Sequence, residues 1–203
     1  LCPDIKEMLA YTRNKFLNLK INTNASLLDE EMSHSILTSG VKTLVFSADA
    51  ADKNLYSKLR VNGKLEKILS NIKRFQEIRI KKYPKSKIIT RVSGVKISNQ
   101  QNLDDMEKYW GNFVDQVAFV NYCPWENVYE SKFSEIKTPC SDLWRRMFVW
   151  WDGKVNPCDV DYKSKLSVGD IKNSNISELW KSDAYNKLRQ QHKSKLRSNA
   201  SPC

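Results

Sequence analysis

The chain has 203 residues, enough for one domain with an appendage and a sizeable core. Its 40% apolar and 28% charged residues are ordinary for a globular protein and exclude a disordered one. Lys and Arg exceed Asp and Glu by 34 to 23, a formal net charge of +11. The basic residues are scattered, with local clusters at Arg79 to Lys87 and Lys187 to Arg197. Solvated helix faces and one basic tail account for them, and nucleic acid is not the expected partner, because binding phosphates needs a contiguous basic face.

No apolar run approaches the ~18 residues of a membrane span and no signal-peptide pattern opens the chain, so a cytoplasmic location and no membrane partner are expected. Five cysteines are too sparse, and odd in number, for a secreted disulfide scaffold. Intracellular thiols are more often metal ligands or core residues. The first residue is Leu1 and the last is Cys203, which reads as an internal fragment of a longer protein.

In chain order, Ile5, Met8, Leu9, Thr12 and Phe16 fall at helical spacing, predicting a helix over Asp4 to Phe16 with Asp4 as N-cap. Leu17 to Asn22 reads as a strand. Asp29 caps a second helix through Met32, Ile36 and Leu37, which Gly40 ends in the left-handed conformation. Lys42 to Ser47 is a buried strand and Asp52 to Val61 a helix. Beyond Gly63, Leu65, Ile68, Leu69, Ile72 and Phe75 form the clearest apolar stripe. Lys87 to Ile97 is a strand, Leu103 to Phe113 a helix, and Val114 to Asn121 a strand leading to Tyr122-Cys123-Pro124-Trp125. Strands alternating with helices predict an α/β fold with a parallel sheet, which right-handed crossovers curl into an open sheet or part of a (β/α) barrel.

The pattern changes near Glu126, which divides the chain into a barrel-like part, residues 1–125, and a small cysteine-containing part, residues 126–203. Asp152-Gly153 between apolar runs predicts a hairpin in which Trp151 pairs with Lys154 and Cys158 returns opposite Met147. A single last helix carries Ile176, Leu179, Trp180 and Leu188, with Asn175 and Glu178 placed as a capping box. Trp144, Trp150 and Trp151 read as aromatic packing of a small domain.

Two groups of residues point to chemistry. Cys140, Cys158 and Cys203 each follow a proline, which fixes φ just before the thiol. They read as soft thiolate ligands for an iron–sulfur cluster, with zinc as the competing metal. Cys2 and Cys123 read as buried free thiols. Asn22-Thr23-Asn24 and Ser47-Ala48-Asp49 follow strands, at the carboxyl ends where parallel α/β folds bind ligands. Neither His34 nor His192 is framed by partners in the sequence.

In this order, Asn22-Thr23-Asn24, Ser47-x-Asp49 and Tyr56-x-x-x-Arg60 resemble the second half of a radical S-adenosylmethionine (radical SAM) core. The run from Cys140 through Gly153 to Cys158 is similar to the opening of the SPASM or twitch extension of these enzymes. So are Val168-Gly169-Asp170-Ile171 and Ile176-Ser177-Glu178-Leu179-Trp180. The family's Cys-x-x-x-Cys-x-x-Cys and Gly-Gly-Glu-Pro motifs are absent and would lie upstream, where Leu1-Cys2-Pro3-Asp4 looks like sequence following the latter. The usual Gly after Thr-Asn is Ala25, which takes positive φ only at a cost.

The resemblance implies that Asn22, Thr23 and Asn24 lie near the ribose and methionine of SAM, and that Ser47 and Arg60 hold its carboxylate or ribose hydroxyls with Asp49 in support. It implies that Cys140 and Cys158 ligate an auxiliary [4Fe–4S] cluster, with Cys203 beginning a distal cysteine group. Asp159 matches a general base in the sulfatase-maturing branch, while Asp161 matches a structural acid near the motif. The implied activity is cleavage of SAM to a 5′-deoxyadenosyl radical that abstracts hydrogen. An external electron donor feeds it, and the implied substrate is a peptide or protein. A sugar or other small molecule is the alternative substrate. A zinc-stabilised basic nucleic-acid module and a degenerate, non-catalytic relative are the alternatives of other kinds.

Overall fold

A computed structural model describes residues 2–124, 126–130 and 136–203. They form two compact units, the first ending at Tyr122 and the second beginning at Cys123. Trp125, at the end of the stretch leaving the last strand of the first unit, lies outside the described residues.

The first unit alternates helices and strands: α1 (Ile5–Thr12), β1 (Leu19–Thr23), α2 (Glu30–Thr38), β2 (Val41–Ser47), α3 (Lys53–Leu59), α4 (Leu65–Lys82), β3 (Ile89–Lys96), α5 (Leu103–Gly111) and β4 (Gln116–Asn121). The strands pair in parallel, in the order β1-β2-β3-β4. The predicted α/β class is the one observed, because each of the first three strands is followed by helix that carries the chain back to the start of the next.

Local chemistry places most of the boundaries. Asp29 accepts from the Met32 amide at 2.7 Å and Asp52 from the Leu55 amide at 2.8 Å, so both helices start where a carboxylate caps them. Gly40 ends α2 at φ +89°. The first helix differs from expectation: Asp4 makes no side-chain cap, and the helix stops at Thr12 rather than Phe16. Asn14 turns to φ 61°, and Leu17 and Phe16 are left exposed before β1 begins at Leu19.

The core of this unit lies between the sheet and α4. Leu65, Ile68, Ile72 and Phe75 are buried along one face of α4, in one cluster with Leu44, Phe46 and Val92 of the sheet. Each such side chain contributes about 1.5–3 kcal/mol on burial. Phe75 meets Phe46 edge-on with ring centroids 6.1 Å apart.

The edge of this core is held by Asp115, just before β4. Its Oδ2 accepts from the Thr90 amide at 2.8 Å, the Thr90 hydroxyl at 2.7 Å and Arg79 Nη1 at 2.7 Å, while Oδ1 accepts from Arg79 Nη2 at 3.0 Å. The Arg79 guanidinium, followed by the Thr90 donors, holds the carboxyl down at about 2, against burial. A depressed carboxylate contributes stability that is present above its unfolded value near 4 and is lost as pH falls toward 2. The side chain is 40% exposed, so screening reduces the contribution to about 1 kcal/mol. Asp115→Asn should flatten the acid limb of stability between about pH 4 and pH 2, measured by denaturant unfolding at a series of pH values. An acid limb as steep as in wild type would contradict the assignment.

The second unit is built on an antiparallel sheet of β5 (Phe148–Val149), β6 (Lys154–Asn156) and β7 (Gly169–Asp170), in that order. It is followed by α6 (Ile176–Lys181) and α7 (Asp183–Lys193), and the expected hairpin plus one helix is therefore three strands plus two helices. Ser182 ends α6 and caps α7 by accepting from the Tyr185 amide, which breaks the single helix expected there. The capping box of Asn175 and Glu178 is present.

The hairpin register also differs. Trp150, not Trp151, meets Lys154: the Trp150 amide donates to the Lys154 carbonyl at 2.8 Å, and the Gly153 amide donates back to Trp150 at 3.0 Å. Gly153 at φ +96° makes this a three-residue loop closed by a glycine bulge instead of a two-residue turn. Trp151 therefore sits at the loop tip, 98% exposed, and does not pack into the small domain as expected.

Gly169, at φ +145°, lies against the side chain of Leu179. A Cβ there would come within 2.4 Å of Leu179 Cδ2. That close approach gives the Gly169 to Leu179-Trp180 pattern a packing reason: the helix seats its leucine on the bare glycine backbone.

Candidate functional site

At the carboxyl ends of the first unit's strands, Asn24, Asp49, Tyr56, Arg60 and Ile68 line a cavity of about 560 Å³ together with Ser26. Asp49 is 6% exposed and firmly held. Its Oδ1 accepts from the Val95 amide at 2.8 Å, and its carbonyl accepts from buried Gln101 Nε2 at 2.7 Å. Gln101 in turn takes the Ile97 and Ser98 amides on Oε1, which locks the end of β3 to the end of β2. Asp49 Oδ2 is left to face Arg60, whose Nε lies 2.8 Å away. That pair is close in distance but misdirected in angle, and the Nε–H of Arg60 has no hydrogen-bond acceptor. Arg60 is not within the helix, as expected, but at the C-cap of α3.

Of the other residues expected here, Asn22 and Thr23 end β1 and Ser47 ends β2, and none of these lines the cavity. Thr23 Oγ1 accepts from the Ala25 amide at 3.1 Å, and Asn24 Oδ1 accepts from the Ser26 amide at 3.0 Å. These two side-chain turns bend the chain through Ala25 at φ 58°. The cost of a left-handed alanine, roughly 1–2 kcal/mol, is offset by its full burial and by Asn71 Nδ2 donating to its carbonyl at 2.8 Å.

The Ala48 amide donates to the Ser93 carbonyl at 2.9 Å, so the loop bearing Asp49 runs tight against β3. A Cβ at Gly94 would stand 2.2 Å from the Ala48 carbonyl oxygen. Gly94→Ala should therefore displace the Ser47-Ala48-Asp49 segment and cost about 1–3 kcal/mol of stability. Thermal unfolding checks this, and an unchanged melting temperature would contradict it.

The second site lies wholly within the second unit. Cys140, Cys158 and Cys203 line one cavity of about 120 Å³, together with His192, Arg197 and apolar side chains such as Leu143 and Leu188. The three thiols lie before the hairpin, after it and at the last residue of this unit, and each is half-buried and free of disulfide. Burial pushes the Cys158 thiol up, while the amides of Val160 and Asp161 pull it down and the neighbouring Cys140 pushes further up. Burial likewise raises Cys203; the Arg197 guanidinium beside it acts in the opposite sense.

Among the described residues, no three His, Cys, Asp or Glu side chains gather closely enough to hold one metal ion. A single tetrahedral zinc would need its thiolates about 3.8 Å apart, from a Zn–S length of ~2.3 Å. An iron–sulfur cluster offers a separate iron to each thiolate. Soft donors spread around one cavity, with backbone amides aimed at a sulfur, fit that group.

Cys2 and Cys123 are both exposed, not buried as expected. Cys2 precedes α1, with its Sγ 3.6 Å from the Met8 sulfur, and Cys123 follows the end of β4. Asp159 is half-buried, with Oδ1 3.9 Å from the Cys158 sulfur. Asp161 is fully buried, accepting on Oδ1 from Tyr129 Oη and the Lys165 amide and on Oδ2 from the Leu166 amide. Those bonds make Asp161 the organiser of its loop.

His192 was assigned no role by the sequence, yet it is 1% exposed and Nδ1 accepts from the Cys140 amide at 3.2 Å. Tyr185, also buried, donates to the Arg146 carbonyl, and burial pushes its hydroxyl up to about 12. The available signal was spacing: Tyr185, Leu188 and His192 stand at i, i+3 and i+7 on α7, which places the histidine on its apolar face.

Residues 140–203 match the SPASM family, an iron–sulfur cluster-binding domain. No curated protein matches the chain. Among solved structures, Streptococcus suis SuiB bound to the precursor peptide SuiA is similar at TM-score 0.68 and 16% identity, over 92% of this chain and 53% of that one. Native anSMEcpe with bound AdoMet and the Kp18Cys peptide is similar at TM-score 0.60 and 16% identity, over 85% of this chain and 59% of that one. BtrN in complex with AdoMet and 2-DOIA is similar at TM-score 0.53 and 16% identity, over all of this chain and 65% of that one. The chain thus spans about half the length of the SuiB structure it matches. Residues 140–203 match an iron–sulfur cluster-binding domain, and the chain shares the fold of the SuiB, anSMEcpe and BtrN structures.

Proposed function

We propose that this chain is the later part of a radical SAM enzyme that modifies a peptide or protein, with an auxiliary [4Fe–4S] cluster held in its second unit. The observation that carries the reading is the meeting of Cys140, Cys158 and Cys203 on one cavity, within the segment that matches a cluster-binding domain. When bound, the cluster would supply a one-electron site.

The chain's own residues divide the remaining work. Asn24, Asp49 and Arg60 face the cavity at the strand ends and are suited to a ribose and an amino-acid group. Asp49, pinned by the Val95 amide, orients the guanidinium, and the unsatisfied Arg60 Nε–H is a donor waiting for an anionic or hydroxyl acceptor. Thr23 shapes the turn that presents Asn24, by accepting from the Ala25 amide, and Asn22 and Ser47 stand at the ends of the neighbouring strands. Asp159, whose Oδ1 lies 3.9 Å from the Cys158 sulfur, is assigned the general base that takes the substrate proton during oxidation. An external donor delivers the electron.

A peptide or protein substrate is supported by the SuiB and anSMEcpe structures, both solved with peptides bound. A small-molecule substrate is the second reading, favoured by BtrN, whose structure contains 2-DOIA.

The test is SAM binding and turnover by the full-length protein, loaded anaerobically with iron and sulfide and reduced with dithionite. Formation of 5′-deoxyadenosine is expected. Arg60→Met should weaken SAM binding about tenfold, the loss of one hydrogen bond from a charged donor. Wild-type affinity in both Arg60→Met and Asn24→Ala would remove the SAM assignment from this face.

A further inference from the structure

We infer that His192 donates a hydrogen bond through Nε2 to a sulfur of the group held by Cys140, Cys158 and Cys203, and thereby raises that group's reduction potential. The inference rests on the reading of those three thiols as cluster ligands.

The ring's orientation is fixed by the backbone. The Cys140 amide donates to Nδ1 at 3.2 Å, so Nδ1 carries no proton and the neutral ring carries its proton on Nε2. That Nε2 is buried and has no hydrogen-bond partner. A buried donor left unsatisfied costs about 1–3 kcal/mol, and a leucine on the same helix face would incur no such cost. His192 lines the same cavity as the three thiols, where Leu143, Leu188 and Pro202 offer no side-chain acceptor and the Asp142 carboxylate, already held by Arg145 at 2.7 Å, makes no bond to Nε2. The acceptors that the thiol cluster brings to this cavity are sulfur atoms.

The same geometry argues against His192 as a further ligand. Coordination through Nε2 would need the ring proton on Nδ1, and a ligating histidine ordinarily donates that proton to a carbonyl or carboxylate. Here Nδ1 faces a donor. The ring is therefore set to give a proton to a sulfur and not a lone pair to a metal.

Arg197 stands in a similar position. Its guanidinium lies beside the Cys203 thiol, and its buried Nε also lacks an acceptor. Donors to the sulfurs of a cluster favour the reduced, more negative state, which moves the potential upward.

The experiment is a potentiometric titration of the full-length protein, loaded anaerobically with iron and sulfide, following the electron paramagnetic resonance signal that Cys158→Ala removes. His192→Phe should leave iron and sulfide content unchanged and shift the midpoint to more negative potential. His192→Gln, whose amide N–H reaches about as far as Nε2, should recover part of that shift. An unchanged potential in His192→Phe, or loss of iron from it, overturns the inference.

Wild-type protein labelled with ¹⁵N-histidine gives a second readout that needs no variant. Pulsed resonance of the reduced cluster should show an exchangeable proton and a weak nitrogen coupling. A strong coupling typical of a direct ligand, or no coupling at all, overturns it equally. Wild-type protein that takes up no iron would overturn the cluster reading itself, a failure distinct from a loaded cluster indifferent to His192.

Discussion

Three thiols far apart in sequence share one small cavity, and the second unit is arranged around that requirement. Cys140 precedes the hairpin, Cys158 follows it and Cys203 is the last residue of the unit, so bringing them together fixes the path of the chain between them. The buried apolar cluster there is only Leu143, Val155, Val168, Leu179 and Tyr185 among the described residues. A core of that size supplies little net stability, and small units of this kind rely on a staple. Metal affinity is folding energy in such a case, because ligands that meet in the folded state are scattered in the unfolded one. The prolines before each thiol act in the same direction by narrowing the unfolded chain's freedom at those points.

The first unit solves a different problem. Its parallel strands must end together, with their polar loops held rigidly enough to grip a ligand. Asp49 shows how this is done. One carboxylate oxygen and the carbonyl of the same residue are tied to the end of β3, through Val95 and Gln101, and the remaining oxygen is turned toward Arg60. Gly94 lets the loop run close enough for that to happen. A strained left-handed Ala25, held by Asn71, gives the neighbouring turn the shape that glycine would otherwise supply.

Much of the first unit was legible because its signals are local and redundant. The α4 stripe, the Asp29 and Asp52 caps and the Gly40 stop each have a mechanism that acts within a few residues. Where the structure departs from the local signals, a longer-range choice decides. The first helix stops at Thr12 because the chain turns at Asn14, and no apolar contact rewards extending it through exposed Phe16. The hairpin takes a three-residue loop because Gly153 accepts the bulge, so Trp151 points to solvent even though its composition suggested packing. The cysteine set of the cavity could be named from spacing, but His192 could not, since its partner is a backbone amide 52 residues away. A lone histidine in a basic tail carries no sequence mark of what it faces.

The central claim is that Cys140, Cys158 and Cys203 hold iron and inorganic sulfide, and not a single zinc ion. X-ray absorption at the iron edge of the anaerobically purified full-length protein tests it most directly, comparing wild type with the Cys140→Ala, Cys158→Ala double variant. The account predicts iron–sulfur and iron–iron scattering in wild type and about four fewer irons per chain in the variant. Zinc with a thiolate shell alone, or iron content unaffected by the double substitution, would contradict it.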